Sequence, residues 1–405
     1  MAVNLPPLPE LHPVPGIRLG TSRAQIRKKD RRDLVVIECA PGTQVAAIFT
    51  QNRFCAAPVT VSRDHLSQAA TRALLINTGF ANAGTGSAGL EDARHCCAAL
   101  AANLGCSPTE VLPFSTGVIG ERLPVDRLVS GLPDSVGALS ESGWEDAAHG
   151  IMTTDTLPKG SSQKVRIDGK TVTVTGIAKG AGMICPNMAT LLAFIATDAA
   201  IPSAVLKQCL AAAADESFNR ISVDGDTSTN DSCVLLATGK SGLEIRAVED
   251  AAYKTFFDTV RAVLADLAQA IVRDAEGATK FITIDVVQGA SEADCLEVAY
   301  TIAHSPLVKT AFFASDPNWG RILAAVGRAR IPQLQVDRVS IHLDDVCIVR
   351  NGGRAPEYSE SQGQAVMARS EICVRVDLGG GTASSRLWTC DLSHDYVTIN
   401  AEYRT

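Results

Sequence analysis

The sequence predicts an α/β protein, of mixed α+β type, in which mixed β-sheets are sandwiched by helices. Predicted strands and helices interleave irregularly along the 405 residues, with hairpins among them, unlike the regular alternation of a purely parallel doubly wound sheet. Apolar residues make up 46% of the chain and charged residues 20%, which is usual for a globular protein. The length favours two domains or one large α/β unit.

The first half of the chain contains several predicted strands. VVIECA and QVAAIFT are predicted to form a strand pair joined by the Pro41-Gly42 turn. KVRIDGKTVTVTGIA predicts a hairpin around Asp168-Gly169, because Asp-Gly between alternating apolar residues is the strongest short hairpin signal. The other elements predicted in this half are, in order, a strand at 73–78, a helix at 91–104, a strand at 111–116 and a helix at 144–152.

The second half begins with LLAFIAT at 191–197, a predicted buried strand. The next predicted elements are a helix at 202–217, a strand at 233–239, a helix at 248–275 and a strand at 280–290. The last hundred residues are expected to contain several strands, ending in DYVTINAEYRT, and DLGGGT at 377–382 predicts a glycine hairpin.

The charge pattern argues against nucleic acid and anionic membranes as partners. The net charge is -7, and the basic run Arg27-Lys28-Lys29 with Arg31 and Arg32 is balanced by Asp30 and Asp33, so it is interpreted as a solvated turn. The N-terminus lacks a secretory signal, and no apolar run approaches the ~20 residues that a membrane helix needs. The expected location is the cytoplasm.

The cysteines and histidines give no metal or catalytic frame. The twelve cysteines are scattered singly apart from Cys96-Cys97, and no CxxC pair occurs. None of the seven histidines lies in a GxSxG or HExxH motif. We therefore expect no metal site, and we do not expect histidine to be the base if the protein performs nucleophilic chemistry.

The junction Ala189-Thr190 lies between a glycine-punctuated loop, KGAGMICPNMA, and the apolar strand. A threonine hydroxyl is a poor nucleophile unless a base removes its proton. A threonine at a new N-terminus carries such a base, because a free α-amino group titrates near ~7.7–8.0. Attack of the hydroxyl on the preceding carbonyl, followed by hydrolysis of the ester, would create that terminus. The alternative is a capped strand entrance in which Thr190 merely bonds to backbone.

The segment KGAGMICPNMAT closely resembles the cleavage segment of the ornithine acetyltransferase family, the glutamate N-acetyltransferases of arginine biosynthesis. Further matches, in the family's order from about residue 15 to the last residue, are PFSTGVIGERLP, IMTTDTLPK, SVDGDTSTNDS, RDAEGATKF, SDPNWGRILAAVGR and DYVTINAEYRT. One departure is NTGFANAGTG, where the family usually has a second Asn in place of Phe80.

The resemblance implies self-cleavage between Ala189 and Thr190 into an α chain of 1–189 and a β chain of 190–405. The two chains would form one intertwined α/β unit, to which a smaller C-terminal domain could be added. The implied fold is the ornithine acetyltransferase or DmpA-like arrangement, with mixed sheets sandwiched by helices. The implied assembly is an α2β2 heterotetramer.

The resemblance also implies the roles of individual residues. Thr190 is the nucleophile that carries the acetyl group, and Thr116 and Gly117 match the oxyanion hole, where a hydroxyl and a backbone N–H converge on one oxygen. Lys179 can take an α-carboxylate and Glu276 a cationic amine, which ornithine supplies. The positions that match the family's substrate-binding residues are Thr153, Lys179, Thr190, Glu276, Asn400 and Thr405.

The implied reaction moves an acetyl group from N2-acetylornithine to glutamate by a ping-pong route through an acetyl-threonine ester, with no metal or organic cofactor. Some members of the family also take acetyl from acetyl-CoA, and no residue of this sequence decides that point. Two alternatives remain open. One is an N-terminal-nucleophile aminopeptidase of similar architecture, which would hydrolyse the acyl-enzyme. The other is a non-enzymatic metabolite-binding protein with an uncut chain.

Overall fold

The structure is a computed structural model that describes residues 2–27, 29–185, 191–332 and 334–402. Its strands are β1 (Ile17–Ser22), β2 (Leu34–Cys39), β3 (Gln44–Phe49), β4 (Ala73–Phe80), β5 (Val111–Val118), β6 (Lys159–Ile167), β7 (Lys170–Lys179), β8 (Leu192–Thr197), β9 (Ile221–Ser222), β10 (Ser232–Ala237), β11 (Phe281–Gly289), β12 (Ser340–Leu343), β13 (Val346–Arg350), β14 (Gly353–Arg354), β15 (Glu371–Asp377) and β16 (Ala383–Cys390). Its helices are α1 (Ala57–Gln68), α2 (Gly86–Leu104), α3 (Val125–Gly137), α4 (Trp144–Gly150), α5 (Ser203–Asp215), α6 (Ala251–Arg273), α7 (Glu292–Ala303), α8 (Pro306–Phe313), α9 (Trp319–Gly327), α10 (Glu360–Met367) and α11 (His394–Ala401).

The strands form three sheets, each with both parallel and antiparallel neighbours. The strand orders are β1-β2-β4-β5 in the first sheet, β3-β10-β8-β7-β6 in the second and β14-β13-β12-β15-β11-β16-β9 in the third. Within the second sheet, for example, β8 is parallel to β10 and antiparallel to β7. The predicted class of mixed sheets with helices is confirmed.

The first two sheets face each other and bury a shared apolar layer. Phe114 of β5 and Phe194 of β8 meet edge to face across that layer, with ring centroids 5.1 Å apart. Helices α1, α2 and α3 pack on the outer face of the first sheet, while α5 and α6 pack on the outer face of the second. The result is four layers, helix, sheet, sheet and helix, in which alternate residues of β8 face opposite layers.

The second sheet contains strands from both sides of residue 190. Strand β7 pairs with β8 from Val174↔Thr197 to Lys179↔Leu192, and β3 pairs with β10 from Phe49↔Ser232 to Gln44↔Ala237. The two parts of the chain are therefore joined by two backbone ladders in addition to the side-chain core.

The third sheet lies entirely after residue 190 and has a core of its own. Helices α7 and α9 pack against this sheet, and the shared core includes residues of β11, β12, β13 and β15. Among the helices that the structure describes, none is long and apolar enough to cross a membrane.

The predicted pairing of VVIECA with QVAAIFT is wrong, although both segments are strands. Strand β2 pairs with β1 on one edge and with β4 on the other, so it has no free edge for β3. Gly42, with φ of +87°, turns the chain from the first sheet into the second, where β3 pairs with β10.

The predicted terminal strand DYVTINAEYRT is also wrong, because residues 394–401 form helix α11. Its β-branched residues suggested a strand. The Ser393 hydroxyl instead accepts a hydrogen bond from the Tyr396 amide, and Asp395 lies in the first turn, which together favour a helix start.

The predicted DLGGGT hairpin is wrong as well, because β11 lies between β15 and β16. The glycine turn passes over the end of β11 instead. There Gly380 N donates to Gln288 O, and a Cβ at position 381 would lie 2.2 Å from Gly289 O. Glycine at 381 is therefore required by close backbone approach.

A buried ion triad connects three elements beside the second sheet. Lys159 Nζ, at the start of β6, lies 2.7 Å from Asp155 Oδ1 and 2.6 Å from Asp274 Oδ2, and the three side chains are 0–1% exposed. Burial alone would raise the pKa of Asp155, but the charges of Lys159 and Lys179 and several hydrogen bonds hold that pKa below its usual range. Each buried charge thus has a partner.

Replacing Lys159 with Met should destabilise the protein, because two buried carboxylates would then lack their cation. We expect the free energy of unfolding from urea denaturation to fall by about 3–5 kcal/mol. The matched control is Lys254→Met, which removes a cation from an exposed pair with Asp258 and should leave the free energy nearly unchanged. Equal effects of the two changes would contradict the prediction.

Candidate active site

One cavity, of about 250 Å³, brings together the predicted site residues that the structure describes. Leu191 and Leu192, which directly follow the proposed nucleophile, also line this cavity. Ala189, Thr190 and Thr405 lie outside the described residues. The predicted residues in the lining are Thr116, Gly117, Thr153, Lys179, Glu276 and Asn400.

The Thr116-Gly117 pair lies at the end of β5, beside the end of β4. Gly117 has φ of +132°, and a Cβ there would lie 2.2 Å from Gly79 C and 2.6 Å from Phe80 N. Only glycine fits a left-handed conformation at this close backbone approach. The Thr116 hydroxyl and the strand-end backbone therefore belong to a rigid wall of the cavity.

Lys179 is the last residue of β7 and is half-buried in the cavity wall. Its Nζ donates to Thr153 Oγ1 at 3.2 Å. Burial lowers the pKa of Lys179, and the carboxylates of Asp155, Asp231 and Glu276 offset part of that shift. The side chain thus places a cationic group among several acidic ones.

Asp155 binds the backbone at Thr153 and at Gly180, next to the contact between Lys179 and Thr153. It accepts from Thr153 N at 2.9 Å through Oδ2 and from Gly180 N at 2.7 Å through Oδ1. Because Asp155 is also paired with Lys159, the buried triad fixes the positions of Thr153 and of the end of β7.

Glu276 forms the opposite, acidic part of the lining and is only 8% exposed. Asn400 Nδ2, on α11, donates to Glu276 Oε2 at 2.8 Å, and Glu276 N donates to Ala181 O at 2.9 Å. A Cβ at Gly182 would lie 2.3 Å from Glu276 Oε2. Glycine at 182 therefore leaves the room that this carboxylate occupies.

The loop that leads toward the junction is anchored up to residue 185. Met183 N and Ile184 N donate to the Asp224 carboxylate at 2.6 and 2.9 Å, and Val223 N donates to Ile184 O at 2.7 Å. Tyr396 Oη donates to the same carboxylate at 3.2 Å. Helix α11 and the SVDGDTSTNDS segment thus hold the loop from two sides.

Four polar residues of SVDGDTSTNDS, at 228–231, line the cavity, although the motif match assigned no individual role to any of them. Asn230 Nδ2 donates to Ala81 O at 2.5 Å and to Ser115 O at 2.9 Å. Asp231 is 3% exposed, and no described residue donates to its Oδ2. Their position directly before the buried strand β10 was the available sequence signal.

The interpretation of the basic run as a solvated turn is wrong for Arg31. Its side chain is half-buried, and its Nη1 donates to Thr153 O at 2.9 Å. Arg32 instead forms an ion pair of 2.8 Å with Asp146 Oδ1 at the surface. The aliphatic stems of arginine pack on neighbouring apolar surface while the head groups keep polar partners. Arg31 thus supports the Thr153 side of the cavity.

A cysteine–histidine pair near the loop does not supply an alternative nucleophile. Cys185 Sγ lies 3.4 Å from His304 Nε2, and Ser222 Oγ lies 2.9 Å from the same nitrogen. Burial raises the pKa of Cys185 to about 11 and lowers the pKa of His304. A thiol of that pKa stays protonated at neutral pH, whereas a nucleophilic cysteine needs a thiolate.

The chain is similar to proteins whose names describe arginine biosynthesis. A family model described as the ArgJ family matches residues 18–405. The chain is 56% identical over 406 residues to the arginine biosynthesis bifunctional protein ArgJ of Pseudomonas fluorescens (strain Pf0-1), with 100% of both chains covered.

Two solved structures resemble it in part. The arginine biosynthesis bifunctional protein ArgJ of Bacillus halodurans is 34% identical, with a TM-score of 0.49, over 51% of this chain and 97% of that one. The ornithine acetyltransferase of Mycobacterium tuberculosis, complexed with ornithine, is 36% identical, with a TM-score of 0.39, over 44% of this chain and 93% of that one.

Replacing Gly117 with Ala should disturb the end of β5, since the added Cβ would collide with the backbone of β4. We expect a loss of roughly 1–3 kcal/mol in the free energy of unfolding, measured by urea denaturation. The control is Gly137→Ala at the end of α3, where a Cβ meets nothing within 4 Å. If Gly117→Ala is as stable as this control, the proposed steric requirement does not exist.

Proposed function

This chain belongs to the ArgJ family, and we propose that it transfers an acetyl group from N2-acetylornithine to glutamate by a ping-pong mechanism with Thr190 as nucleophile. It is an acetyltransferase of arginine biosynthesis, as family membership and the full-length 56% identity show. The substrates, the nucleophile and the individual residue roles are the proposed part. The products would be ornithine and N-acetylglutamate.

The observation that carries the proposal is the assembly of the predicted residues around one cavity. The cavity is lined by residues of β5, β7, α11 and the loops after α4 and α6. The first and last of these predicted residues, Thr116 and Asn400, are 284 positions apart in the sequence. Leu191 in the lining is covalently bonded to Thr190. A ligand in this cavity would therefore lie near the residue that we propose as nucleophile.

We propose that the chain cuts itself between Ala189 and Thr190. The free α-amino group of Thr190 would then remove the proton from its own hydroxyl, because its pKa near ~7.7–8.0 suits a base at neutral pH. The β7/β8 and β3/β10 ladders support this proposal, since they would keep the two fragments together after the cut.

The proposal extends to the assembly and location of the protein. An α chain and a β chain from one precursor would form the intertwined unit, and two such units would form the α2β2 heterotetramer. This stoichiometry rests on the family resemblance, as does a cytoplasmic location. The shared second sheet supports the pairing of one α chain with one β chain.

The charges around the cavity match a zwitterionic amino-acid substrate. We assign Lys179 to the substrate α-carboxylate and Glu276 to the cationic side-chain amine of N2-acetylornithine. The hydrogen bond from Asn400 to Glu276 supports a binding role for α11. Thr153 would bind substrate beside Lys179, and Thr405, four residues beyond α11, would be a further substrate-binding residue.

In the proposed reaction Thr190 Oγ attacks the acetyl carbonyl, and Thr116 and Gly117 donate hydrogen bonds to the developing oxyanion. Ornithine leaves, and the ester on Thr190 is then attacked by the α-amino group of glutamate. The name of the Pseudomonas relative describes two activities. This favours acetyl-CoA as a second acetyl donor of this chain, entering by the same ester.

The intact masses of the purified protein and of Thr190→Ala test the proposed cleavage. Under denaturing conditions the parent should give two fragments that break before Thr190 and sum to the full mass plus one water. The variant should stay whole because it lacks the hydroxyl. N2-acetylornithine should add one acetyl group to the β chain of the parent. An active parent with a single uncut chain would refute the mechanism.

Replacing Glu276 with Gln should weaken binding of N2-acetylornithine, since a charge-assisted contact with its side-chain amine is lost. We expect KM for N2-acetylornithine to rise about 10- to 100-fold, and KM for glutamate to change much less, in steady-state assays. Glu244→Gln, at an exposed carboxylate paired with Arg246, is the control and should behave like the parent. Equal increases in both KM values would contradict the assignment.

A further inference from the structure

Among the charged residues of the described cavity lining, Asp231 is the one to which the proposed function gives no role. It lines the cavity and is 3% exposed, yet no described residue donates a hydrogen bond to its Oδ2. The other charged groups of the lining are engaged, since Lys179 contacts Thr153 and Glu276 contacts Asn400. A buried polar atom without a partner requires an explanation.

The sheet register places Asp231 at the level of Leu191, the residue that follows the proposed nucleophile in sequence. In the parallel pair β8/β10, Ser232 lies opposite Leu192, and Ser232 N donates to Leu191 O at 2.8 Å. Asp231 therefore lies directly before β10, level with the start of β8. Its neighbour Asn230 donates to Ser115 O, directly before the proposed oxyanion hole. The residues on both sides of Asp231 thus contact β8 and β5, the strands next to the proposed nucleophile and oxyanion hole.

The surroundings favour the protonated form of this carboxyl group. Burial raises the pKa of Asp231 well above its usual value, and hydrogen bonding from Ser228 and the charge of Lys179 offset only part of that shift. Lys179 itself faces Asp155 and Glu276 as well as Asp231, so its charge is shared among three carboxyl groups. Asp231 can thus hold a proton at a pH at which ordinary aspartates have lost it.

We propose that Asp231 is the catalytic acid and base for the substrate amines, donating a proton to the departing amine and accepting one from the attacking amine. This proposal rests on the proposed acetyl transfer. It divides the proton transfers between two groups. The α-amino group of Thr190 would serve the threonine hydroxyl, and Asp231 would serve the nitrogen of the substrate.

The first half-reaction transfers the acetyl group from N2-acetylornithine to Thr190. Thr190 Oγ forms a bond to the acetyl carbon, and its proton passes to the α-amino group of Thr190. The bond between the acetyl carbon and the nitrogen of ornithine breaks, and the protonated Asp231 gives its proton to that nitrogen. Ornithine leaves with a neutral α-amine. The enzyme keeps an acetyl ester, an α-ammonium group and an Asp231 carboxylate.

The second half-reaction reverses these transfers with glutamate. The neutral α-amine of glutamate attacks the ester carbon, and the Asp231 carboxylate takes one proton from the attacking nitrogen. The bond to Thr190 Oγ breaks, and the α-ammonium group returns its proton to that oxygen. N-acetylglutamate leaves, and both proton carriers are restored, so the cycle needs no further reactant.

Comparing two acetyl donors in Asp231→Asn distinguishes proton donation to the leaving amine from a purely structural role of Asp231. The departing amine of N2-acetylornithine needs a proton, whereas the phenolate released by 4-nitrophenyl acetate does not. In Asp231→Asn, the rate at which N2-acetylornithine acetylates the β chain, monitored by intact mass, should fall about 10²- to 10⁴-fold. With 4-nitrophenyl acetate it should keep the parental rate, and the chain should still be cut.

Asp198→Asn is the matched control. Asp198 directly follows β8, is buried, has a raised pKa through burial and accepts from Thr173 N, yet it does not line the cavity. This variant should match the parent with both donors. Asp231→Asn would overturn the proposal by being equally slow with both donors, by matching the parent with both, or by remaining uncut.

Cleavage and acetylation of the unsubstituted parent protein show whether this proposal or the proposed function has failed. If the parent is uncut or takes no acetyl group from N2-acetylornithine, the acetyl transfer itself fails. If the parent reacts normally and Asp231→Asn equals it, only the role of Asp231 fails.

The pH profile gives a second readout. In the parent, acetylation by N2-acetylornithine should decline on the alkaline side as Asp231 loses the proton that it must donate. Asp231→Asn cannot titrate at this position, so that decline should be absent from its profile. A decline that persists in the variant would belong to another group facing the cavity, such as Lys179, and would overturn the proposal.

Discussion

The buried ammonium of Lys159 is the group on which the geometry of the cavity depends. Its two carboxylate partners extend in different directions. Asp155 binds the amides of Thr153 and Gly180, while Asp274 binds the amides of Thr156 and Leu157 and lies two residues before Glu276. The Lys159 ammonium thus connects the part of the cavity wall that carries Lys179 to the part that carries Glu276. Three buried charges are tolerated because each has a partner, and the same low dielectric makes their separation costly.

The cavity lies where the two facing sheets expose the ends of their strands. The ends of β5 and β7 and the beginnings of β8 and β10 meet there, so the site combines backbone from both sheets. Glycines at 117 and 182 allow this convergence, because any side chain at either position would collide with the opposite backbone or with Glu276. Rigid strands position the reacting groups more accurately than mobile loops can.

Local patterns in the sequence predicted the elements whose own residues determine their conformation. The β6–β7 hairpin follows its Asp168-Gly169 turn, and β8 follows its uninterrupted apolar run. Pairing failed where the partner is remote: β3 finds β10, and β11 enters between β15 and β16. Helix α11 was missed because capping by Ser393 outweighs the strand preference of its β-branched residues.

The candidate site was predictable only in part for a related reason. The family motifs supplied Thr116, Gly117, Lys179 and Glu276, and the structure brings these residues to one cavity. Asp155 was assigned no role and Arg31 was interpreted as part of a solvated turn, because a single charged residue beside turn residues is indistinguishable from a surface charge in sequence. Their importance comes from burial and from the partners that the fold gives them.

The chemistry proposed for the cavity divides its proton transfers between two carriers, and the described lining contains no histidine to combine both tasks. After the α-amino group of Thr190 has accepted the hydroxyl proton, it is an ammonium group next to the nucleophilic oxygen. A second proton donor next to the substrate nitrogen can protonate the leaving amine directly, so this ammonium group does not have to do so. Burial raises the pKa of Asp231 and so favours its protonated form before the first transfer, and loss of that proton leaves a carboxylate suited to the incoming amine. Because donor and acceptor substrates both react through an α-nitrogen, the same carboxyl group serves both half-reactions.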